Sequence, residues 1–487
     1  MKPAIVLVAA AMLAACATRQ PPPSPLAFEP YTLKGPQGAE ISGEIATLRV
    51  PENRANPASR QISLRFVRLP STSADPGDPV VYLAGGPGGS AVGAGQSARH
   101  AFFNRLREVG DVILFEQRGT GLSDTLPSCE AQVFDPKRPL DRDNLVETYR
   151  KELTRCIAFW RDSGADVRGY NTIESAADLE DLRIALDAER LNLVGISYGT
   201  HLGMAALKYD VRVGRAVFAG LEGLNQTVKR PAHFDAFLAR VAATLAENPD
   251  ALAAYPDLLV TMRRVHARLG REPVPLTVKD GDGQPVEITL GLFPIQMLTA
   301  FLYISDPARI ARLPDLYARL DRGEFQTDGE MIYRAIGAEF GTMKGMPELM
   351  DLSSGISPAR LEIVRAEARD AILSDSGNFP MPHAADIAPE LTLPDEFRRP
   401  LSTSVPTLII MGTLDGRTPV ESQEELLRQF RRAERLTVVN GGHNIFEQSE
   451  EVQAEIVRFL KFGSVGASEV RLPPPTFAPA KSSSKQQ

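Results

Sequence analysis

The 487-residue chain holds only three cysteines, and no two of them form a Cys-x-x-Cys pair. None of its six histidines belongs to a His-Glu-x-x-His run. The common zinc spacings are therefore missing, and no metal site is expected. An excess of basic charge is missing too: 54 Lys and Arg stand against 61 Asp and Glu, for a net charge of -7, with no long block of one sign. That excludes a nucleic-acid groove, which needs a basic face. No glycine-rich loop carries the lysine of a Walker pattern, so a phosphate cradle is excluded. There is no internal repeat, and no cofactor is implied.

What is present is ordinary globular composition, with 43% apolar and 24% charged residues. The length suits one large domain with an insertion, or two domains. Lys2 and the apolar run at residues 5–15 read as a secretory signal, because the run is too short to span a bilayer. It ends in Leu13-Ala14-Ala15-Cys16, which resembles the bacterial lipobox, with Cys16 as the lipidated residue. An ordinary signal cleaved near Ala17 is the alternative. Ala17 in place of Asp leans, by resemblance to sorted lipoproteins, towards the outer membrane. The expectation is an exported, lipid-anchored protein of the periplasm or outer membrane of a Gram-negative bacterium. Its membrane contact is then through lipid alone. Residues 1–16 form the signal and attachment site, and residues 17–28, with Pro21, Pro22, Pro23 and Pro25, a stiff tether. The proline- and serine-rich residues 466–487 read as a disordered tail. In an oxidising compartment Cys129 and Cys156 are expected to pair as a disulfide, with two free buried thiols as the alternative.

The apolar runs at 41–50 and 62–69 alternate like strands of an antiparallel start. Those at 80–83, 112–115, 191–196 and 216–218 are short and continuous, as buried parallel strands require. Two more follow at 407–411 and 435–439. Helical periodicity separates several of them, for example at Ile173, Ala177, Leu179, Leu182 and Leu186. This alternation predicts an α/β fold with a mostly parallel, eight-stranded sheet. Residues 226–400 break the rhythm with several helical segments and read as a helical cap inserted between two sheet strands. The core would be residues 29–225 and 401–465.

The strongest local signal is Gly195-Ile196-Ser197-Tyr198-Gly199, lying between a strand-like run and a helical segment. Strand, sharp turn and helix are what a nucleophile elbow needs, and Ser197 is the candidate nucleophile. A hydroxyl needs a base, and His443 follows the last strand-like run in Gly441-Gly442-His443-Asn444. Asp415 follows the strand before it in Gly412-Thr413-Leu414-Asp415-Gly416. The chain order Ser, acid, His is that of an α/β-hydrolase triad. A plain Asp-Gly turn and a surface-loop histidine are the bland alternatives. Of the other histidines, His201 reads as a packing residue on the helix after the elbow. His383 lies in a proline-rich loop, and His100, His233 and His266 have no acidic or glycine context. The loop Gly85-Gly86-Pro87-Gly88-Gly89-Ser90 after the third strand is the expected oxyanion loop. Pro87 has no N–H, so Gly86 and the amide of Tyr198 are the expected donors.

These motifs carry a family resemblance. The glycine loop, the stretch Glu116-Gln117-Arg118-Gly119-Thr120-Gly121-Leu122-Ser123 and the elbow resemble the α/β-hydrolase serine peptidases of the proline iminopeptidase and tripeptidyl aminopeptidase-like group. The exported branch is the most similar. It too has a cysteine pair ahead of the elbow, and Asp178, Leu179, Leu182 and Arg183 match its helix before the elbow strand. The resemblance covers residues 40–225 and 400–465. It implies a serine peptidase cleaving short peptides from the amino end, with the insertion limiting substrate size. An esterase or lactonase of the same fold and a catalytically inactive binding lipoprotein are the alternatives. Three positions depart from the family pattern: Glu116 stands where Asp is frequent, Ala84 where His is, and Glu222 where Leu-Asp-Gly is usual. An aminopeptidase needs a carboxylate for the substrate amine. Glu222 is the candidate, with Glu339 behind it.

Overall fold

The computed structural model describes residues 26–477. The expectations on residues 1–25, lipidation of Cys16 among them, lie outside the described residues. The strands in chain order are β1 (Glu29–Lys34), β2 (Glu40–Pro51), β3 (Gln61–Leu69), β4 (Val80–Leu83), β5 (Val112–Phe115), β6 (Cys129–Glu130), β7 (Leu191–Ile196), β8 (Val213–Ala219), β9 (Val274–Lys279), β10 (Pro285–Leu290), β11 (Thr342–Met343), β12 (Thr407–Gly412), β13 (Ala433–Val439) and β14 (Glu469–Arg471).

Ten of them form one sheet in the order β1-β2-β3-β5-β4-β7-β8-β12-β13-β14. The first three and β5 pair antiparallel, and the pairs from β5 to β14 are parallel. This is the α/β-hydrolase fold. The eight sequence-expected strands are its centre, and β1 and β14 extend its two edges. β14 corrects the expectation of disorder for residues 466–477: it pairs with β13, and beyond it Phe477 is 3% exposed, while residues 478–487 lie outside the described residues. Val470 supplies the reason, since it joins the apolar layer under the sheet despite its proline-rich surroundings.

Alternation along the strands sorts side chains to two faces. Val81, Leu83, Ile113, Phe115 and Leu193 pack on one side against the helices Thr172–Ala185 and Tyr198–Lys208. Val80, Tyr82, Val112, Leu114 and Val194 pack on the other against His100–Leu106 and Glu450–Phe462. Each fully buried side chain of this kind contributes about 1.5–3 kcal/mol. Because both faces are covered, β4, β5, β7 and β12 are buried throughout.

Between β8 and β12 the chain is mostly helical. It adds only the hairpin β9–β10 and the short β11, which pairs with β6. This insertion has an apolar core of its own, shared with the helix Arg142–Asp162. The Cys129–Cys156 disulfide ties that helix to β6. The chain runs from β4 to β5 on one side, then to β7 on the other. The loops after β4 and β7 therefore meet at a switch point, where ligands bind in such sheets.

Candidate active site

Ser197 stands at the end of β7 with φ 55° and ψ −126°, a left-handed conformation that is uncommon for a residue with a side chain. The turn is held by its surroundings. A Cβ on Gly199 would lie 2.0 Å from the carbonyl oxygen of Leu83, so only glycine lets the helix start so close to β4. The Ser197 amide donates to Ala219 O of β8 at 3.0 Å, and the Thr200 amide to Ser197 O at 2.7 Å. The glycine loop lies against the elbow, with a Cβ on Gly85 only 3.2 Å from Ser197 Cβ. Gly86 and Tyr198 thus sit on the two backbone segments that flank the serine.

Glu116 explains its own presence. Its carboxylate accepts from Ser90 Oγ at 2.6 Å, Ala91 N at 2.9 Å and Val92 N at 3.2 Å, fixing the far end of the glycine loop. Arg118, two residues on, is fully buried and makes a two-point contact with Asp178 at 2.8 and 2.7 Å.

Asp415 and His443 come from the loops after β12 and β13, at the same sheet edge as Ser197. His443 Nδ1 is 3.0 Å from each Asp415 carboxylate oxygen. Asp415 is 2% exposed and also accepts from Thr418 Oγ1 at 2.6 Å, Thr418 N at 2.9 Å and Arg417 N at 2.9 Å. Burial pushes its pKa up, but His443 and these donors outweigh that and hold it below the usual carboxylate value. Gly220, at the end of β8, closes the floor. A Cβ there would meet Thr418 Oγ1 at 2.7 Å, Asp415 Oδ2 at 3.2 Å and His443 Cε1 at 3.3 Å. The insertion reaches the same loop through the His443 amide, which donates to Ser305 O at 2.7 Å. Such an arrangement suits nucleophilic acyl transfer: a half-buried hydroxyl on a strained turn, a carboxylate-oriented imidazole, and backbone amides beside the serine.

The other histidines have local partners. His201 Nδ1 lies 3.1 Å from Gly223 O, and His383 Nε2 3.2 Å from Asp375 Oδ2. His233 Nδ1 is 2.7 Å from Ser422 Oγ, His266 Nε2 2.9 Å from Tyr317 Oη, and His100 Nδ1 3.0 Å from Gly95 O. Glu222 is buried near the site, yet its carboxylate is paired with Lys229 Nζ at 2.6 Å. Its amide donates to Thr200 Oγ1 at 2.7 Å, which ties it to the elbow helix.

Two charged groups that the motifs do not mark stand at this site. The helix Met346–Ser354 lies on the elbow and the glycine loop. Met350 Sδ is 3.2 Å from Tyr198 Oη, and Pro347 meets the space over Gly88. This helix carries Asp351. Burial, together with the charges of Glu222 and Glu348, pushes the Asp351 carboxyl up to about 7, with Lys229 opposing. Among the described residues no cation lies within 4.0 Å of that carboxylate. Glu348, one turn earlier, is occupied in accepting the Gly345 amide at 2.8 Å. The second group is Arg417, two residues after Asp415. Sequence reasoning passed over both: Asp351 lies in no motif, and Arg417 was legible only as a charge inside the Asp-Gly-Arg-Thr-Pro loop.

Residues 78–275 match the family described as alpha/beta hydrolase fold, and residues 389–471 match the one described as TAP-like protein. Tripeptidyl aminopeptidase of Streptomyces coelicolor is 31% identical over 163 residues, which are 32% of this chain and 30% of that protein. Serine protease Hip1 of Mycobacterium tuberculosis is 27% identical over 216 residues, 40% of this chain and 39% of that protein. The chain thus spans 30% and 39% of the length of these curated relatives. A solved proline iminopeptidase-related protein of Thermus thermophilus superposes with a TM-score of 0.34 at 15% identity, covering 90% of this chain and 97% of that one.

Proposed function

From a chain of the α/β-hydrolase fold with a TAP-like segment at residues 389–471, we propose a serine peptidase that shortens peptides from the amino end. His443 takes the proton of Ser197 as its oxygen attacks the scissile carbonyl, with Asp415 holding the imidazole. The amides of Gly86 and Tyr198 receive the oxyanion. His443 then protonates the leaving amine, and water releases the acyl group by the same route.

The observation that carries the amino-end reading is Asp351. A carboxylate with no cation within 4.0 Å among the described residues, on the helix that covers the elbow, is the chemistry an ammonium needs. Glu222, the sequence-based candidate, gives way to it because Lys229 already neutralises Glu222. The curated relatives named tripeptidyl aminopeptidase and serine protease support the reaction class. Export with a lipid on Cys16 is part of the same proposal. Cys16→Ser should move the protein from the membrane pellet to the soluble fraction.

The test compares kcat/KM on one short peptide anilide with its amino end free or acetylated, with Ser197→Ala as blank. Acetylation is expected to lower kcat/KM about 10- to 100-fold, the scale of one charge-assisted contact. Equal cleavage of both would sink the amino-end reading. Cleavage of a simple acyl ester but of neither anilide would replace peptidase by esterase.

A further inference from the structure

Beyond the triad, the site holds a cation whose charge is unused. Lys229 pairs with Glu222 at 2.6 Å, Arg309 with Asp306 at 3.3 Å, and Arg240 with Glu421. Arg417 has no carboxylate within 4.0 Å among the described residues. Its guanidinium lies over the Phe301 ring, 5.1 Å from the centroid, and Nη1 donates to Ala300 O at 3.4 Å. The residue is half-buried. Burial drives its pKa down, and the carboxylates of Glu339, Asp415 and Glu222 oppose that from a distance. A guanidinium drawn out of water without an anion on its fork is costly, and a planar carboxylate is the ligand that best fits the fork.

The surroundings define what would bring that carboxylate. Phe301 also lines an apolar cavity of about 240 Å³, together with Met297, Leu298, Ile336, Glu339 and Phe340. The arginine and the cavity both lie at the insertion's edge of the triad-acid loop. Asp351 lies instead on the helix that covers the elbow and the glycine loop. A peptide that acylates Ser197 from its amino end carries its free carboxylate on the leaving portion, beyond the scissile bond.

We infer that Arg417 binds the free C-terminal carboxylate of the leaving portion of the substrate, whose last side chain enters the apolar cavity beside Phe301. This deepens the peptidase reading and rests on it. It restricts the preferred substrates to short peptides with both ends free, ending in an apolar residue. Glu339 is the competitor: it lines the same cavity and acts on the same guanidinium. Removing its charge therefore strengthens the anion site.

The probes are peptides of two to four residues, alanine throughout with a C-terminal leucine, each as free acid and as C-terminal amide. They are compared by kcat/KM on the wild-type protein and by calorimetric Kd on Ser197→Ala. The free acid is expected to be favoured about tenfold or more, the scale of one charge-assisted contact. Arg417→Met should bring the acid-to-amide ratio close to one, Arg417→Lys should retain part of it, and Glu339→Gln should raise it. A purely structural role for Arg417 would lower both members of each pair alike and leave the ratio unmoved. Equal treatment of acid and amide by the wild-type protein overturns the inference while leaving the amino-end reading intact. If no peptide is cleaved, the peptidase reading fails, and the Kd ratio on Ser197→Ala still decides the role of Arg417.

Discussion

The amide of His443 donates to the carbonyl of Ser305 at 2.7 Å, so the imidazole loop is held from the helical insertion as well as from the sheet. Gly442 sits inside this junction. A Cβ there would lie 2.7 Å from Pro307 Cδ, 2.8 Å from Asp306 Cα and 3.1 Å from Ser305 O. Two of these three atoms are backbone and the other belongs to a proline ring, so none can swing aside. Gly442→Ala should push the His443 loop off the insertion, and kcat should fall about 100-fold on peptide and ester alike, as misplacing a catalytic group by an ångström does. Unchanged kcat would show that the Ser305 contact does not position the imidazole.

Asp415 orients the imidazole through two 3.0 Å contacts and is itself fixed by Thr418 and the Arg417 amide. Asp415→Asn keeps the shape but offers an amide to Nδ1, which favours the wrong tautomer. A loss of about 10⁴-fold in kcat is expected, with stoichiometric labelling of Ser197 by a fluorophosphonate becoming correspondingly slow. A loss below tenfold would remove Asp415 from the triad.

Burial and the charges of Glu222 and Glu348 push the Asp351 carboxyl up to about 7 from an ordinary 3.8. Only its ionised form holds an ammonium. The ratio of kcat/KM for free over acetylated substrate should therefore rise towards pH 7 and fall again above about pH 8, where the substrate amine loses its own proton, and His443 cancels from that ratio. Asp351→Asn should flatten the profile and lower the ratio about 10- to 100-fold. A wild-type ratio that does not rise between pH 5 and 7.5 would detach Asp351 from the substrate amine.

The same carboxylate should cost stability. Between about pH 4 and 7 the native state keeps a proton that the unfolded chain has lost, so this contribution falls as pH rises through that window. Above pH 7 the whole penalty is present. Asp351→Asn is expected to raise Tm at pH 8 and to leave it unchanged at pH 4, by thermal unfolding at both values. A lower Tm at pH 8 would mean that the carboxylate is stabilising.

Arg118 and Asp178 make a different kind of pair, with both side chains at 0% exposure. Removing Arg118 leaves Asp178 buried with Arg54, at 2.8 Å, as its remaining cation. Because Arg54 still pairs with Asp178, Arg118→Met should cost less than the about 3–5 kcal/mol of a fully orphaned buried charge in urea unfolding, and the double change with Asp178→Asn less than the sum of the two singles. Strict additivity would show that the pair is not coupled.

Much of this molecule is set by local sequence. Short apolar runs ended by glycine or polar turns could only be buried strands, because a strand covered on both faces has no polar alternation to show. The elbow, the glycine loop and the two loops bearing Asp415 and His443 each follow such a run, so their common edge was implied by strand direction. Elements with mixed signals were harder. Helical periodicity after Pro358 runs to residue 373, yet the helix ends at Glu367 and the chain continues as turns. β14 hides among prolines because its one inward side chain, Val470, leaves almost no pattern.

Tertiary structure alone decided which charges at the site are free. Glu222 and Asp351 are equally acidic in the sequence. Lys229, seven residues after Glu222, folds back onto that carboxylate and leaves Asp351 with no cation within 4.0 Å among the described residues. Arg417 is one of many arginines in the chain, and most of those near the site found carboxylates on neighbouring helices. Sequence spacing fixes what chemistry a residue carries. Whether that chemistry is spent within the protein or left for a substrate depends on which distant segments the packing brings beside it.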